Sequence, residues 1–332
     1  MSDLRAALER YLSERLGEAV AAGAPQRISV GHSRAMYLLP TDHGRFVVRV
    51  EQGGVFGTSG ASEYAVMQAL HDAGVPVARP RWLEPTGDVL GQPFFVMDHV
   101  ASTPQTDERS MDAPTAERFV AALDAMHRSA WSTGGPDGLP FVEPPADDPH
   151  AATRRRLRHW LEIARGAAES ANPLLEEGAS WLDLHAPPAG RIGIVHGDAG
   201  PGNVLVLDGR IAAITDFEFS HLGDPMEDWS FCSAMRGSRT MPRTEWYAIF
   251  ERSAGVVAPP EAWAYWEAFN LFKGACANVT CLDLFRRGVN RAPNMAIIGT
   301  ALHHSFLRRL VAITAHPTPA DAAAASSTTT TT

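Results

Sequence analysis

The segment Val195–Pro225, VHGDAGPGNVLVLDGRIAAITDFEFSHLGDP, limits how this chain can fold more than any other. Two short apolar runs, NVLVLD and RIAAITD, meet at Asp208-Gly209. That dipeptide favours a tight hairpin turn, because both of its residues tolerate positive φ. A third apolar run, RIGIVHGD, precedes them and leads into a loop. Closing the hairpin folds the chain back, so Asn203, starting one strand, lies near Asp216, ending the next. A carboxamide oxygen and a carboxylate held together form a hard-oxygen site of the kind that suits Mg²⁺, which completes its shell with water and substrate phosphates.

Asp198 stands five residues before Asn203 and projects from the same loop. An Asp, an Asn five residues on and a further Asp after a hairpin are the parts of a phosphoryl-transfer site. Such a reaction needs little covalent chemistry from the protein. It needs a cation to neutralise the phosphate oxygens and a carboxylate to orient an attacking hydroxyl and accept its proton.

The rest of the chain frames this segment. Residues 2–22 are predicted helical, with leucines at 4, 8, 12 and 16 on one face. RISVGHS, AMYLLP and RFVVRVE have strand character, with a hairpin turn at TDHG. A glycine-rich loop leads to EYAVMQALHDAG, a helix ended by Gly74, and then to two strands, ARPRWLEP and PFFVMDHV. Beyond Asp112 the pattern turns helical: TAERFVAALDAMHRSA, ATRRRLRHWLEIARGAAES, LLEEGASWLDLHAP, EAWAYWEAFNLFKGACANVTCLDLF and NMAIIGTALHHSFLRRLVAI. The reading is α+β: an N-terminal lobe over 1–98, with a small sheet and one long helix, a helical lobe over 99–318, and a low-complexity tail over 319–332.

A net charge of −9 gives no footprint for nucleic acid or an anionic membrane. Three scattered cysteines suit reduced, buried thiols, and neither an apolar leader nor a membrane-length apolar run is present, so the cytoplasm is expected. Oligomeric state is left open.

HGDAGPGN followed by ITDFEFSHLGDPMEDW resembles the aminoglycoside phosphotransferase-type kinases, relatives of the choline and macrolide kinases. The motifs are closest to the kinase-like domains fused to some acyl-CoA dehydrogenases. The resemblance implies a protein-kinase-like two-lobe fold, ATP and Mg²⁺ as cofactors, and a small-molecule hydroxyl acceptor. It implies Asp198 as catalytic base, and Asn203 and Asp216 as Mg²⁺ ligands. His196 and Asp228 become structural supports of the loop. Glu218 lies two residues past Asp216 and points to the same side if the backbone stays extended. With His221, it is assigned to the substrate or a second metal. Gly31, His32 and Ser33 fall on the nucleotide loop, Arg49 on the strand that carries the phosphate-binding cation, and Glu63 on the helix that supplies its partner. Met97 and His99 fall on the hinge, where backbone groups would meet adenine. The chain departs from many kinases in having arginine at position 49 rather than lysine, and the two are not interchangeable.

The acceptor itself is not named by the sequence. An antibiotic kinase, acting on an aminoglycoside or a macrolide, and a hydroxyacyl-CoA or other metabolite kinase both remain open. So does a catalytically silent nucleotide-binding module.

Overall fold

The computed structural model describes residues 2–29, 34–51, 59–103, 111–133, 138–141 and 143–315. Gly31, His32 and Ser33 lie outside the described residues, as does the tail. The chain divides into two compact units, Met1–Glu143 with Gly193–Val256, and Pro144–Ile192 with Val257–Thr332.

The first unit is built on a five-stranded antiparallel sheet. Its strands are β1 (Gln26–Ser29), β2 (Arg34–Thr41), β3 (Gly44–Glu51), β4 (Pro80–Glu84) and β5 (Phe94–Asp98), in the order β1-β2-β3-β5-β4. The TDHG turn joins β2 to β3, with Thr41 opposite Gly44. Side chains alternate across the two central strands. Phe46 and Val48 of β3 and Phe94 and Val96 of β5 form one apolar cluster with Leu8, Tyr11 and Leu12 of helix α1 (Ser2–Leu16). Burying each such side chain contributes about 2 kcal/mol.

The intervening residues, Val47, Arg49 and Phe95, point to the other face. There helix α2 (Gly60–Asp72) presents its buried side: Glu63, Val66, Met67 and Leu70. The ring of Tyr64 meets that of Phe95 at 6.0 Å. Period-2 alternation therefore delivers Arg49 to the same layer as Glu63. Helix α1 stops with the last residue of its leucine repeat, Leu16, short of the expected range 2–22, because Gly17 takes φ +76 and turns the chain away.

Helix α3 (Ala113–Arg128) belongs to the same unit, capped by Asp112, whose side chain accepts from the Thr115 amide at 2.8 Å. Two small ladders follow: β6 (Gly193–Val195) with β9 (His221–Gly223), and the hairpin β7 (Val204–Leu207) with β8 (Arg210–Ile214). Asp208 and Gly209 turn that hairpin at φ 50 and 73, the conformation their sequence favours. The hairpin is tied to the preceding chain by Ile214 N–H to the Pro76 carbonyl and Thr103 N–H to the Val206 carbonyl, both 2.7 Å. Helix α6 (Met226–Phe231) runs into a π-helical turn, Cys232–Arg236, and the unit's last helix, α7 (Arg243–Ala254), is capped by Gly255, φ 67.

The second unit is helical: α4 (Ala151–Ala167), α5 (Pro173–Leu184), the 27-residue α8 (Pro260–Arg286), α9 (Pro293–Ile297) and α10 (His303–Thr314). The sequence predicts one helix across the last two, but a π-helical turn at Ile298–Leu302 separates them. Gly299 lies there against the Leu282 backbone, where a Cβ would stand 2.6 Å from its nitrogen. Among the described residues no helix is long and apolar enough to cross a membrane. The three cysteines are free and buried, and burial pushes the Cys281 thiol up to about 11.

Candidate active site

The loop between β6 and β7 carries Asp198, and its shape is set from below. Asp228, at the start of α6, is fully buried. Its Oδ2 accepts from the His196 amide at 2.7 Å and its Oδ1 from the Gly197 amide at 2.8 Å, while His127 Nε2 of α3 lies 2.9 Å from Oδ2. Burial opposes this charge. The hydrogen bond from His127 and the fields of His127 and His196 outweigh it and hold the carboxyl below its usual range. His196 secures the loop's other edge. Its Nε2 donates to the Thr215 carbonyl at 2.9 Å and its Nδ1 accepts from the Asp198 amide at 3.2 Å. One tautomer satisfies both bonds.

Asp198 is buried, its side chain only 11% exposed. Asn203 Nδ2 donates to its carbonyl and to its Oδ2, both at 2.8 Å. This orients the carboxamide, with its nitrogen turned to Asp198. Asn203 is joined across the hairpin to the residue before the other expected ligand, because the Thr215 amide donates to the Asn203 carbonyl at 3.0 Å. Asp216 follows at φ 68, ψ 62, a left-handed conformation that few non-glycine residues adopt and that concentrates at functional sites.

The chain then winds into a 3-10 turn, Phe217–Phe219. The extended backbone that would set Glu218 on the same side as Asp216 is therefore absent, because the left-handed residue redirects the strand end into the turn. Alternation cannot be used to place Glu218. His221, in β9, is buried, with Nδ1 on the Phe219 carbonyl at 3.0 Å and Nε2 3.1 Å from Glu227 Oε2.

Arg49 lies 3.0 Å through Nη2 from both Glu63 Oε2 and Asp216 Oδ1. Burial works against its charge, but Glu63 and then Asp216 outweigh it and raise its pKa. Its Nη1 reaches only Met36 Sδ, at 3.8 Å, and its buried Nε has no partner among the described residues. Part of the guanidinium fork thus has no oxygen acceptor among the described residues. At the end of β5, Met97 pairs opposite Val47, and the His99 amide donates to the Arg45 carbonyl at 3.0 Å. A backbone contact from His99 to a base would come through its carbonyl.

Two residues at this site were not singled out in the sequence. His127 sits on the buried face of α3 beside Leu123 and Met126, where periodicity assigns it to the core. Arg236 sends Nε to Asp198 Oδ1 at 3.1 Å and Nη2 onto Oδ2. No local pattern marks it.

A family model described as "Phosphotransferase enzyme family" matches residues 25–269, which span both the sheet and the whole catalytic segment. The chain belongs to this phosphotransferase family. Mouse acyl-CoA dehydrogenase family member 10 is 26% identical over 294 residues, which is 81% of this chain but 27% of the mouse protein, so the chain spans about a quarter of that relative. Among solved structures, a putative aminoglycoside phosphotransferase from Ralstonia eutropha matches with a TM-score of 0.71 at 21% identity, covering 93% of this chain and 98% of the other. The choline kinase LicA of Streptococcus pneumoniae matches at 0.66 with 15% identity, over 93% and 99%. At such identities these neighbours show the fold, and it is the kinase-like one expected from the sequence.

Proposed function

We propose that this phosphotransferase is an ATP- and Mg²⁺-dependent small-molecule kinase that moves the γ-phosphoryl group onto a substrate hydroxyl. The observation that carries this reading is the convergence, within one compact unit, of Asp198 and Asn203 on a loop braced by Asp228 with Asp216 at the end of the following hairpin, beside an Arg49–Glu63 pair. Support comes from solved neighbours with bound nucleotide, AMP in LicA and ADP beside hygromycin B in a mutant aminoglycoside phosphotransferase.

The donor set fits a magnesium ion held jointly with phosphate. Among the described residues no cluster of three or more His, Cys, Asp or Glu suffices to hold a metal alone. Asn203 and Asp216 supply one carboxamide and one carboxylate, the partial set Mg²⁺ uses when nucleotide oxygens complete its shell. When bound, the ion would neutralise charge on the phosphates.

The remaining work falls to the chain. Residues 1–98 form the nucleotide lobe in this reading, and residues 99–318 hold the catalytic loop and acceptor pocket. Arg49, oriented by Glu63, directs its remaining donors at phosphate oxygens. Asp198 receives the acceptor's hydroxyl proton as the oxygen–phosphorus bond forms, and the bond to the bridging oxygen breaks with its electron pair leaving on ADP. His196 and Asp228 keep the loop in place. Three buried free thiols suit a reducing compartment such as the cytoplasm.

The test is an ADP-release screen over aminoglycosides, macrolides, choline and hydroxyacyl-CoAs, with Asp198→Asn beside the natural chain. Asp198→Asn should lower turnover by about a thousandfold or more while Mg·ATP still binds, as expected for the loss of a general base. Comparable turnover in that variant would overturn the assignment of the base. Nucleotide binding with no acceptor phosphorylated would point to a silent module.

A further inference from the structure

The carboxylate assigned as base is not open in this structure, and the group that covers it comes from a distant part of the chain. Arg236 lies 38 residues beyond Asp198 and grips it fork to fork, Nε on Oδ1 and Nη2 on Oδ2. Bidentate contacts of this kind fix orientation as well as add energy. We propose that Arg236 is the positioning residue of the transfer step, holding Asp198 so that a single oxygen lone pair faces the acceptor hydroxyl. This inference rests on the kinase reading above.

A count of hydrogen bonds supports the role. A carboxylate offers about four lone-pair positions. On Asp198, Arg236 Nε occupies one, Arg236 Nη2 a second and Asn203 Nδ2 a third. The position that remains is where an acceptor can approach. Without the arginine, the carboxylate would be held by Asn203 alone and could turn about its own side-chain bonds.

Two independent features of the backbone make room for the contact. The first is the π-helical turn, Cys232–Arg236, that follows α6. One residue inserted into a helix rotates everything after it by roughly 100°, since a turn takes 3.6 residues. Here the residue at the end of that turn is the one aimed at the loop. The second is Gly200, two residues past the base, at φ +150. A Cβ on Gly200 would overlap Arg236 Cβ, and its next contact would be Arg236 Cγ at 3.0 Å. The catalytic loop therefore lacks a side chain at the point where the arginine stem passes. The arginine side chain is 40% exposed, although the carboxylate it holds is 11% exposed. The grip is thus reachable from solvent, as a contact beside a substrate must be.

The experiment uses the full chain with Arg236→Ala, Arg236→Lys and Arg236→Gln, scored by ADP release from Mg·ATP with the acceptor found in the screen, and with water alone in its place. Calorimetry with Mg·ADP and thermal melting accompany each variant. The expected result for Arg236→Ala is a kcat about a hundredfold lower, the scale of a misplaced reacting group, with Mg·ADP affinity and melting temperature close to the natural chain. Arg236→Lys should recover little, because one ammonium cannot span both oxygens. Added guanidinium at millimolar concentration should restore part of the Arg236→Ala activity and none of the Asp198→Asn activity. If Arg236→Ala turns over like the natural chain, the inference falls and the kinase reading stands. A loss of nucleotide affinity or fold matching the loss of kcat, with no guanidinium rescue, would make Arg236 a merely structural residue and also sink the proposal. A natural chain that binds no nucleotide or releases no ADP removes the kinase reading, and this inference with it.

Discussion

Asp228→Asn tests how the catalytic loop is held. The carboxylate receives the amides of His196 and Gly197 on its two oxygens, with His127 Nε2 2.9 Å from one of them, and all of this is out of contact with water. A carboxamide keeps the shape but has one oxygen. Its NH₂ must face either the Gly197 amide or the pair formed by His127 and the His196 amide, donor against donor. Hydrogen bonds to a charged group are each worth about 1.5–3 kcal/mol, and an unsatisfied buried donor costs about 1–3 kcal/mol, so the variant should lose about 3–5 kcal/mol. For a cooperative unit of roughly 200 residues this lowers Tm by roughly 10 °C. The pH dependence has a definite sign. The folded carboxyl is held below its usual range, so its contribution is complete above an unfolded value of about 3.9 and is lost as pH falls through the lowered folded value. Urea unfolding at pH 7 and pH 5 should show the same gap between the two chains, and the gap should close only in stronger acid. Turnover should fall with the loop even though Asp228 touches no substrate. A stability loss under about 1 kcal/mol would refute the claim that this network holds the loop, because a single charge-assisted bond already exceeds that value.

Arg49→Ala should weaken nucleotide use and also destabilise, since Glu63, with a side chain 2% exposed, loses the cation of a buried ion pair at a cost of about 3 kcal/mol. Adding Glu63→Gln should recover much of the stability but not the ATP dependence, and recovery of both in a nucleotide titration would move Arg49 out of the site. Gly197→Ala should cost more than about 1 kcal/mol in the urea midpoint, because the residue has φ +81 and the new Cβ would stand 2.7 Å from the Phe219 carbonyl oxygen. An unchanged midpoint would mean that the loop relaxes freely.

The sequence by itself determined whatever depends on neighbours along the chain. Asp208-Gly209 specifies its hairpin because the turn's positive φ values are a local property, and the hairpin then sets Asn203 near Asp216 without help from the rest of the fold. Alternation along RFVVRVE places Arg49 opposite the apolar cluster of α1, on the side where Glu63 waits on α2. The five-residue step from Asp198 to Asn203 was legible for the same reason. Tertiary structure decided the rest. His127 lies 101 residues before the carboxylate it supports, and Arg236 lies 38 residues after the one it grips. No periodicity links positions so far apart. The left-handed turn at Asp216 broke the extended path that alternation assumed for Glu218, and a π-helical turn, not a residue pattern, aimed Arg236 at the base. Side-chain direction at these points follows backbone irregularities that packing selects. A sequence records which groups can react, and the folded backbone decides which of them meet.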